Sequence, residues 1–430
     1  MHLSDDGESR DSRHLAVASD AMMGGMRADD LRPDLAFETL AVHAGAEPDE
    51  ATGAVAPPIY QTSTYAQDGV NRPRGGYDYA RTVNPTRDRL QRAVAALEGG
   101  GEGIAFASGS AATAAIAELA PPGSEIVVGD DVYGGTYRYL EKVRRGNGVD
   151  ARYADLAGDP DALWEALTER TRLVWFETPT NPLLKMIDIG AAARAIRERF
   201  GDDPARPLLV VDNTFASPAL QRPLDHGADI SFHSATKYLA GHSDTVLGIA
   251  VTRDPAVAER LRFLQNAMGG VPGPFDCFLV LRGLRTLHLR VARHVENASA
   301  VADFLAARDD VAWVSHPGLA TGRHAHPHAP AGAAQMSGGT GMVSFQPRAG
   351  GPQGRSSAER AIAIAEGTRI FTLAESLGGV ESLIEVPAQM THMSVAGSPL
   401  QVPDDLVRLS VGIESATDLI ADLRAALDLS

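Results

Sequence analysis

A single cysteine, Cys277, occurs in 430 residues. One thiol excludes an intramolecular disulfide framework and any CxxC metal site. It also points to a reducing compartment, so a cytoplasmic location is expected. Basic residues are scarce: 39 Lys and Arg face 55 Asp and Glu, a formal net charge of −16 with histidines neutral. The arginines are dispersed, and binding phosphate backbones takes clustered cations, so no nucleic-acid partner is expected. Long apolar runs are missing as well. The longest stretches free of Asp, Glu, Lys and Arg, His324–Pro347 and Val386–Pro403, are rich in Pro, Gly and polar residues. A bilayer span takes about 20 mostly apolar residues, so no membrane partner is expected. Residues 1–34 carry Asp5, Asp6, Glu8, Arg10, Asp11 and Arg13 without an apolar h-region, and they read as a disordered tail rather than a signal peptide. What remains is ordinary globular composition, 44% hydrophobic and 22% charged.

Structure is expected from Leu35. Residues 35–81 mix Pro, Gly, Ser and Thr in the manner of an extended arm. Asn84-Pro85-Thr86 opens a helix that runs to Leu97 and stops at Gly99-Gly100. Over 82–290, short apolar strands alternate with helices: Gly103–Ala107, Glu125–Gly129, Leu173–Glu177, Leu208–Asp212, Ile230–Phe232 and Val246–Val251. Fully apolar strands separated by helices predict an α/β domain with a largely parallel sheet covered on both faces. Polar residues gather at the carboxyl ends of those strands, where such sheets bind ligands. Residues 291–430 change character and predict a smaller α+β domain.

The chemistry concentrates around Lys237. It lies just past a strand end, with Ser234 and Thr236 at minus three and minus one. A lysine so placed suits a Schiff base with a phosphate-bearing aldehyde, and the two hydroxyls suit its phosphate. Asp212 ends an apolar strand, and a buried carboxylate there can keep a pyridine nitrogen protonated and make the ring an electron sink. Ser108-Gly109-Ser110 lies at a strand-to-helix junction, where free N–H groups favour phosphate. Tyr133 offers an aromatic face. No GxGxxG follows the first strand, which argues against a dinucleotide enzyme. His324, His326 and His328 have no second ligand cluster, so no metal is expected. Cys277 reads as a buried packing residue.

Together with Tyr79-Ala80-Arg81, Tyr133-Gly134-Gly135, Glu177–Pro182, Ser234–Tyr238, Glu375–Ser382, Met390-Thr391-His392 and Arg408-Leu409-Ser410, these residues resemble the Cys/Met-metabolism family of pyridoxal-phosphate enzymes from about Phe37 to Leu427. The resemblance implies an aspartate-aminotransferase-like fold, fold type I of the PLP-dependent transferases, and pyridoxal 5'-phosphate as cofactor. It implies that Lys237 is the Schiff-base lysine, Asp212 the partner of the pyridine nitrogen, Tyr133 the stacking ring, and Asn181 the neighbour of the phenolic oxygen. The phosphate is expected on Gly109, Ser110, Ser234 and Thr236, with Tyr79 and Arg81 supplied by a neighbouring subunit. That exchange implies an obligate dimer, and the family usually pairs dimers into a homotetramer. Arg408 is expected to clamp the substrate α-carboxylate beside Ser376. Arg138, Asp78 and Glu375 match positions near the distal end of cystathionine in its enzymes. The expected activity is cystathionine γ-lyase, yielding cysteine, 2-oxobutyrate and ammonia. Cystathionine γ-synthase, or γ-replacement by another nucleophile, is the alternative, with cystathionine, O-acyl-homoserine and cysteine as the small amino-acid substrates.

Overall fold

A computed structural model describes residues 35–159 and 161–430; the tail expected over 1–34 lies outside the described residues. Seven strands form the first sheet: β1 Glu102–Phe106, β2 Glu125–Gly129, β3 Asp150–Ala154, β4 Thr171–Glu177, β5 Leu208–Asp212, β6 Ile230–Ser234 and β7 Gly248–Thr252. Their order is β1-β7-β6-β5-β4-β2-β3. Only β7 runs antiparallel to its neighbours.

The apolar runs follow from burial on both faces. In β2, Ile126 and Val128 pack into one core while Val127 enters another. Trp175 and Val210 join the first, whereas Val174, Phe176, Leu209 and Val211 join the second. Each strand therefore needs hydrophobic residues at every position rather than at alternate ones. The sequence reading omits β3, Asp-Ala-Arg-Tyr-Ala, because it is an edge strand with no fully buried residue. It also omits the helices Pro255–Met268 and Pro274–Leu284. The first of these begins at Asp254, whose carboxylate accepts bonds from the N–H groups of Ala256 and Val257, a cap legible in Asp-Pro.

The second sheet comprises β8 Val311–Ser315, β9 Met342–Pro347, β10 Thr372–Leu373, β11 Leu383–Glu385 and β12 Val407–Ser410, in the order β10-β11-β12-β9-β8. The helix Leu287–Ala306 joins the two regions: Leu287 and Val291 sit in the core against the first sheet, Ala298, Val301, Ala302 and Leu305 in the core of the second. The change of character expected at 290/291 therefore falls within one helix, because its two halves serve different cores. No described helix is long and apolar enough to cross a membrane.

Candidate active site

Three neighbouring strands of the first sheet end in polar side chains: β4 in Glu177, β5 in Asp212 and β6 in Ser234. They open onto a cavity of about 380 Å³ lined also by Ser108, Gly109, Ser110, Tyr133, Asn181 and Lys237. From the second sheet's region Glu375, Ser376, Thr391 and Arg408 close it.

Lys237 Nζ donates to Ser376 Oγ at 2.7 Å. Burial, reinforced by the charge of Arg408, pushes its pKa down to about 8, against the pull of Glu385 and Glu375. Asp212 is buried, and its Oδ1 accepts the N–H of Thr214 at 2.9 Å. Burial raises its pKa, against its bonds to Thr214 and the pull of His233. Glu177 sits directly opposite Asp212 in the β4–β5 register. Its Oε1 accepts the N–H of Tyr133 at 2.6 Å, and burial followed by repulsion from Asp212 raises its pKa.

Ser108 caps the helix Gly109–Ala117 by accepting the N–H of Ala111 at 3.0 Å. A Cβ on Gly109 would stand 3.1 Å from Ser234 Oγ, so glycine lets that turn approach the end of β6. Tyr133 precedes the helix Gly134–Tyr139 and remains 39% exposed. A Cβ on Gly135 would lie 2.3 Å from the Tyr133 ring, so the ring occupies space that only glycine leaves. Arg408, 2% exposed, donates from Nη1 to Asn181 Oδ1 at 2.8 Å and from Nη2 to the Ser376 carbonyl at 3.0 Å. Its Nη2 also lies 3.1 Å from Glu385 Oε1, and Glu385 is 1% exposed.

Eleven of the expected residues thus meet around one cavity: Lys237, Tyr133, Asp212, Gly109, Ser110, Asn181, Ser234, Thr236, Arg408, Ser376 and Glu375. Four do not line it in the single chain. Arg138 is exposed on the helix after Tyr133, where its charge bears on the Tyr133 hydroxyl. Asp78 caps its own loop by accepting the Tyr79 N–H at 2.6 Å. Tyr79 and Arg81 pack on each other, guanidinium carbon 5.7 Å from the ring centre. The Thr236 hydroxyl bonds the carbonyl and N–H of Leu247 at 3.3 and 3.0 Å, which braces the turn before Lys237. Glu177 and Glu385 were assigned no role from sequence, although Glu177 opens a motif quoted above. Of the three histidines, His324 Nε2 accepts the Nε–H of the Arg323 side chain at 2.9 Å, and the other two serve backbone contacts. His326 Nε2 bonds the Leu184 carbonyl at 2.9 Å, and His328 Nδ1 accepts the Met186 N–H at 3.4 Å.

The cavity fits pyridoxal phosphate on its own terms. An amine of lowered pKa, a buried carboxylate of raised pKa, an aromatic face and a glycine-built helix start line one space of suitable size. Comparison with known proteins agrees. The family model of the Cys/Met metabolism PLP-dependent enzymes matches residues 38–428. The chain belongs to that family, and its cofactor is pyridoxal 5'-phosphate.

Among relatives, a cystathionine gamma-synthase of Mycobacterium tuberculosis (strain ATCC 25618 / H37Rv) is 54% identical over 390 residues, covering 90% of this chain and 96% of that protein. A cystathionine gamma-lyase of Saccharomyces cerevisiae is 48% identical over 398 residues, covering 91% and 97%. The crystal structure of metB from Corynebacterium glutamicum superposes with a TM-score of 0.87 at 45% identity, covering 92% of this chain and 99% of that one. The protein is therefore a PLP-dependent enzyme of cysteine and methionine metabolism whose relatives work on small amino acids.

Proposed function

We propose that this enzyme breaks the bond between Cγ and its heteroatom in a homoserine-derived amino acid, with cystathionine as product or substrate. The observation that carries the proposal is Lys237: one amine of lowered pKa, held 2.7 Å from Ser376 Oγ, in the cavity that also holds Asp212 and Arg408. γ-Replacement to form cystathionine is the first reading, supported by the 54% identity to the mycobacterial synthase against 48% to the yeast lyase. γ-Elimination of cystathionine, the direction expected first from sequence, is the second. The 48% identity to the yeast lyase over 398 residues supports it.

Bound pyridoxal phosphate supplies an electron sink for a carbanion at Cα. Lys237 would hold its aldehyde, Asp212 its ring nitrogen, Tyr133 its ring face, and Gly109, Ser110 and Ser234 its phosphate. Asn181 would lie by its phenolic oxygen. The remaining chemistry falls to the chain. Arg408 fixes the substrate α-carboxylate, which orients the Cα–H bond. The neutral Nζ of Lys237 would take the proton at Cα, pass it on to the electron sink that pyridoxal phosphate supplies, and only then take one at Cβ, while Ser376 Oγ keeps Nζ aimed. Tyr133 moves a proton to the departing heteroatom. With pyridoxal phosphate bound, the Asp212 carboxylate would keep the ring nitrogen protonated, and that charge would in turn hold Asp212 ionised.

The four residues outside the cavity, together with Glu375 on its wall, complete the proposal. Tyr79 and Arg81 reach a neighbouring subunit's phosphate seat, and Asp78, Arg138 and Glu375 meet the distal end of the substrate. The active form is then a homotetramer built from two dimers. Product analysis tests the direction, offering purified holoenzyme L-cystathionine in one reaction and an O-acyl-homoserine with cysteine in another. Faster cystathionine formation in the second supports the synthase reading. Faster release of 2-oxobutyrate and cysteine in the first supports the lyase. Silence in both contradicts cystathionine chemistry altogether.

A further inference from the structure

Behind Arg408 lies a carboxylate that the reaction above does not use. Glu385 and Arg408 are direct partners in the antiparallel pairing of β11 and β12. The Glu385 Oε1 lies 3.1 Å from Arg408 Nη2 and accepts the Thr391 hydroxyl at 2.6 Å. Its Oε2 is buried without a hydrogen-bond partner among the described residues, and so is Arg408 Nε. Arg408 lines the cavity, whereas Glu385 does not. One guanidinium therefore stands between a buried carboxylate and the place where a substrate carboxylate must arrive.

Two carboxylates on one guanidinium leave that group of three with a net negative charge beside a pair that is itself buried, and a buried charge without a partner is expensive. A proton on the rear carboxylate removes that cost. We propose that Glu385 is a positioning residue for the substrate carboxylate: it holds Arg408 in the empty site and takes up a proton as that carboxylate binds. The proposal rests on the reading of Arg408 as the carboxylate clamp.

The charged surroundings agree. Facing Glu385 are Arg408 from β12, Lys237 from the end of β6, and Glu375 from the segment after β10. Thr391 comes from the turn after β11, and its hydroxyl also bonds His392 Nδ1 at 2.8 Å. Burial pushes the pKa of His392 down to about 3, so His392 is neutral and brings no competing cation. Burial already raises the pKa of Glu385 in the empty site. A second anion on Arg408 weakens the largest of the contacts that hold it down, ahead of the Thr391 hydroxyl and Lys237, and raises it further.

The probe is butanoate, a carboxylate with no amine to displace Lys237. Its binding to holoenzyme is followed by titration calorimetry in buffers of different ionisation enthalpy, from pH 6 to 9. The wild type is expected to take up close to one more proton per site than Glu385→Gln, with its Kd rising up to about tenfold per pH unit above the empty-site pKa. In Glu385→Gln that slope disappears. Thr391→Val withdraws a hydrogen bond from Oε1 and is expected to move the onset of uptake to higher pH.

Equal proton counts in wild type and Glu385→Gln overturn the proposal. Should Glu385→Gln not fold, an unmoved onset in Thr391→Val overturns it instead, as does absence of uptake in the wild type. If Arg408→Lys binds butanoate as tightly as wild type, the clamp reading has failed. If binding needs Arg408 but the proton count ignores Glu385, only the present proposal has failed.

Discussion

At the scale of single residues, the site depends on charges made unstable by burial. The chain has three lysines, Lys142, Lys185 and Lys237. Lys185 is paired with Asp130 at 2.7 Å, which raises its pKa, while burial takes that of Lys237 down to about 8. Acetic anhydride at limiting concentration should therefore modify Lys237 in apoprotein with a midpoint near pH 8. Lys185 should respond only at higher pH. Peptide mass spectrometry across a pH series decides it; a shared midpoint contradicts the burial argument. Lys237→Ala should cost about 10²–10⁴-fold in turnover even if cofactor still enters, since that is the usual worth of a positioned base. Single-turnover rates with the holoenzyme check this. Lys237 and Asp212 were legible in sequence because each sits at or just past the end of an apolar strand, whereas Arg408 was legible only through the family resemblance. Glu385 was not. Its meaning comes from pairing across two strands, and no spacing along the chain signals that.

At the scale of elements, glycines set how closely the pieces approach. Gly135 leaves room for the Tyr133 ring, which its own Cβ would meet at 2.3 Å. Gly135→Ala should displace the ring and weaken cofactor retention, read by dialysis and absorbance, with little loss of thermal stability. Equal loss of both would mean that the helix Gly134–Tyr139 itself fails. Asn84 caps the helix Pro85–Leu97 by accepting the N–H groups of Thr86 and Arg87. Asn84→Ala should lower stability by about 1 kcal/mol in denaturant titration. The cap and the strands β2 and β5 were legible because local pattern and burial agree. β3 was not: an edge strand buries little, so its sequence carries no apolar run.

For the whole molecule, the arm matters. Tyr79 and Arg81 lie outside the cavity of their own chain, and Tyr79 is 47% exposed. If they complete a neighbour's site, chains with Lys237→Ala and chains with Arg81→Ala, each inactive alone, should recover activity on mixing and refolding. Random pairing in a twofold dimer yields about a quarter of the wild-type value. No recovery would leave each site self-contained. Cys277 is fully buried and its thiol is pushed up to about 12. A thiol reagent should therefore report global unfolding. The subunit exchange was suggested by resemblance rather than by composition or periodicity, because a contact between chains leaves no periodic trace in one of them.

The claim underlying all of this is that Lys237 moves protons at Cα and Cβ of a γ-substituted amino acid. Proton NMR of L-cystathionine in D2O with holoenzyme measures it directly. The account predicts loss of the Cα and Cβ signals of the homocysteine-derived half with wild type and their persistence with Lys237→Ala. Persistence with a cofactor-loaded wild type, or equal loss with both, would contradict it.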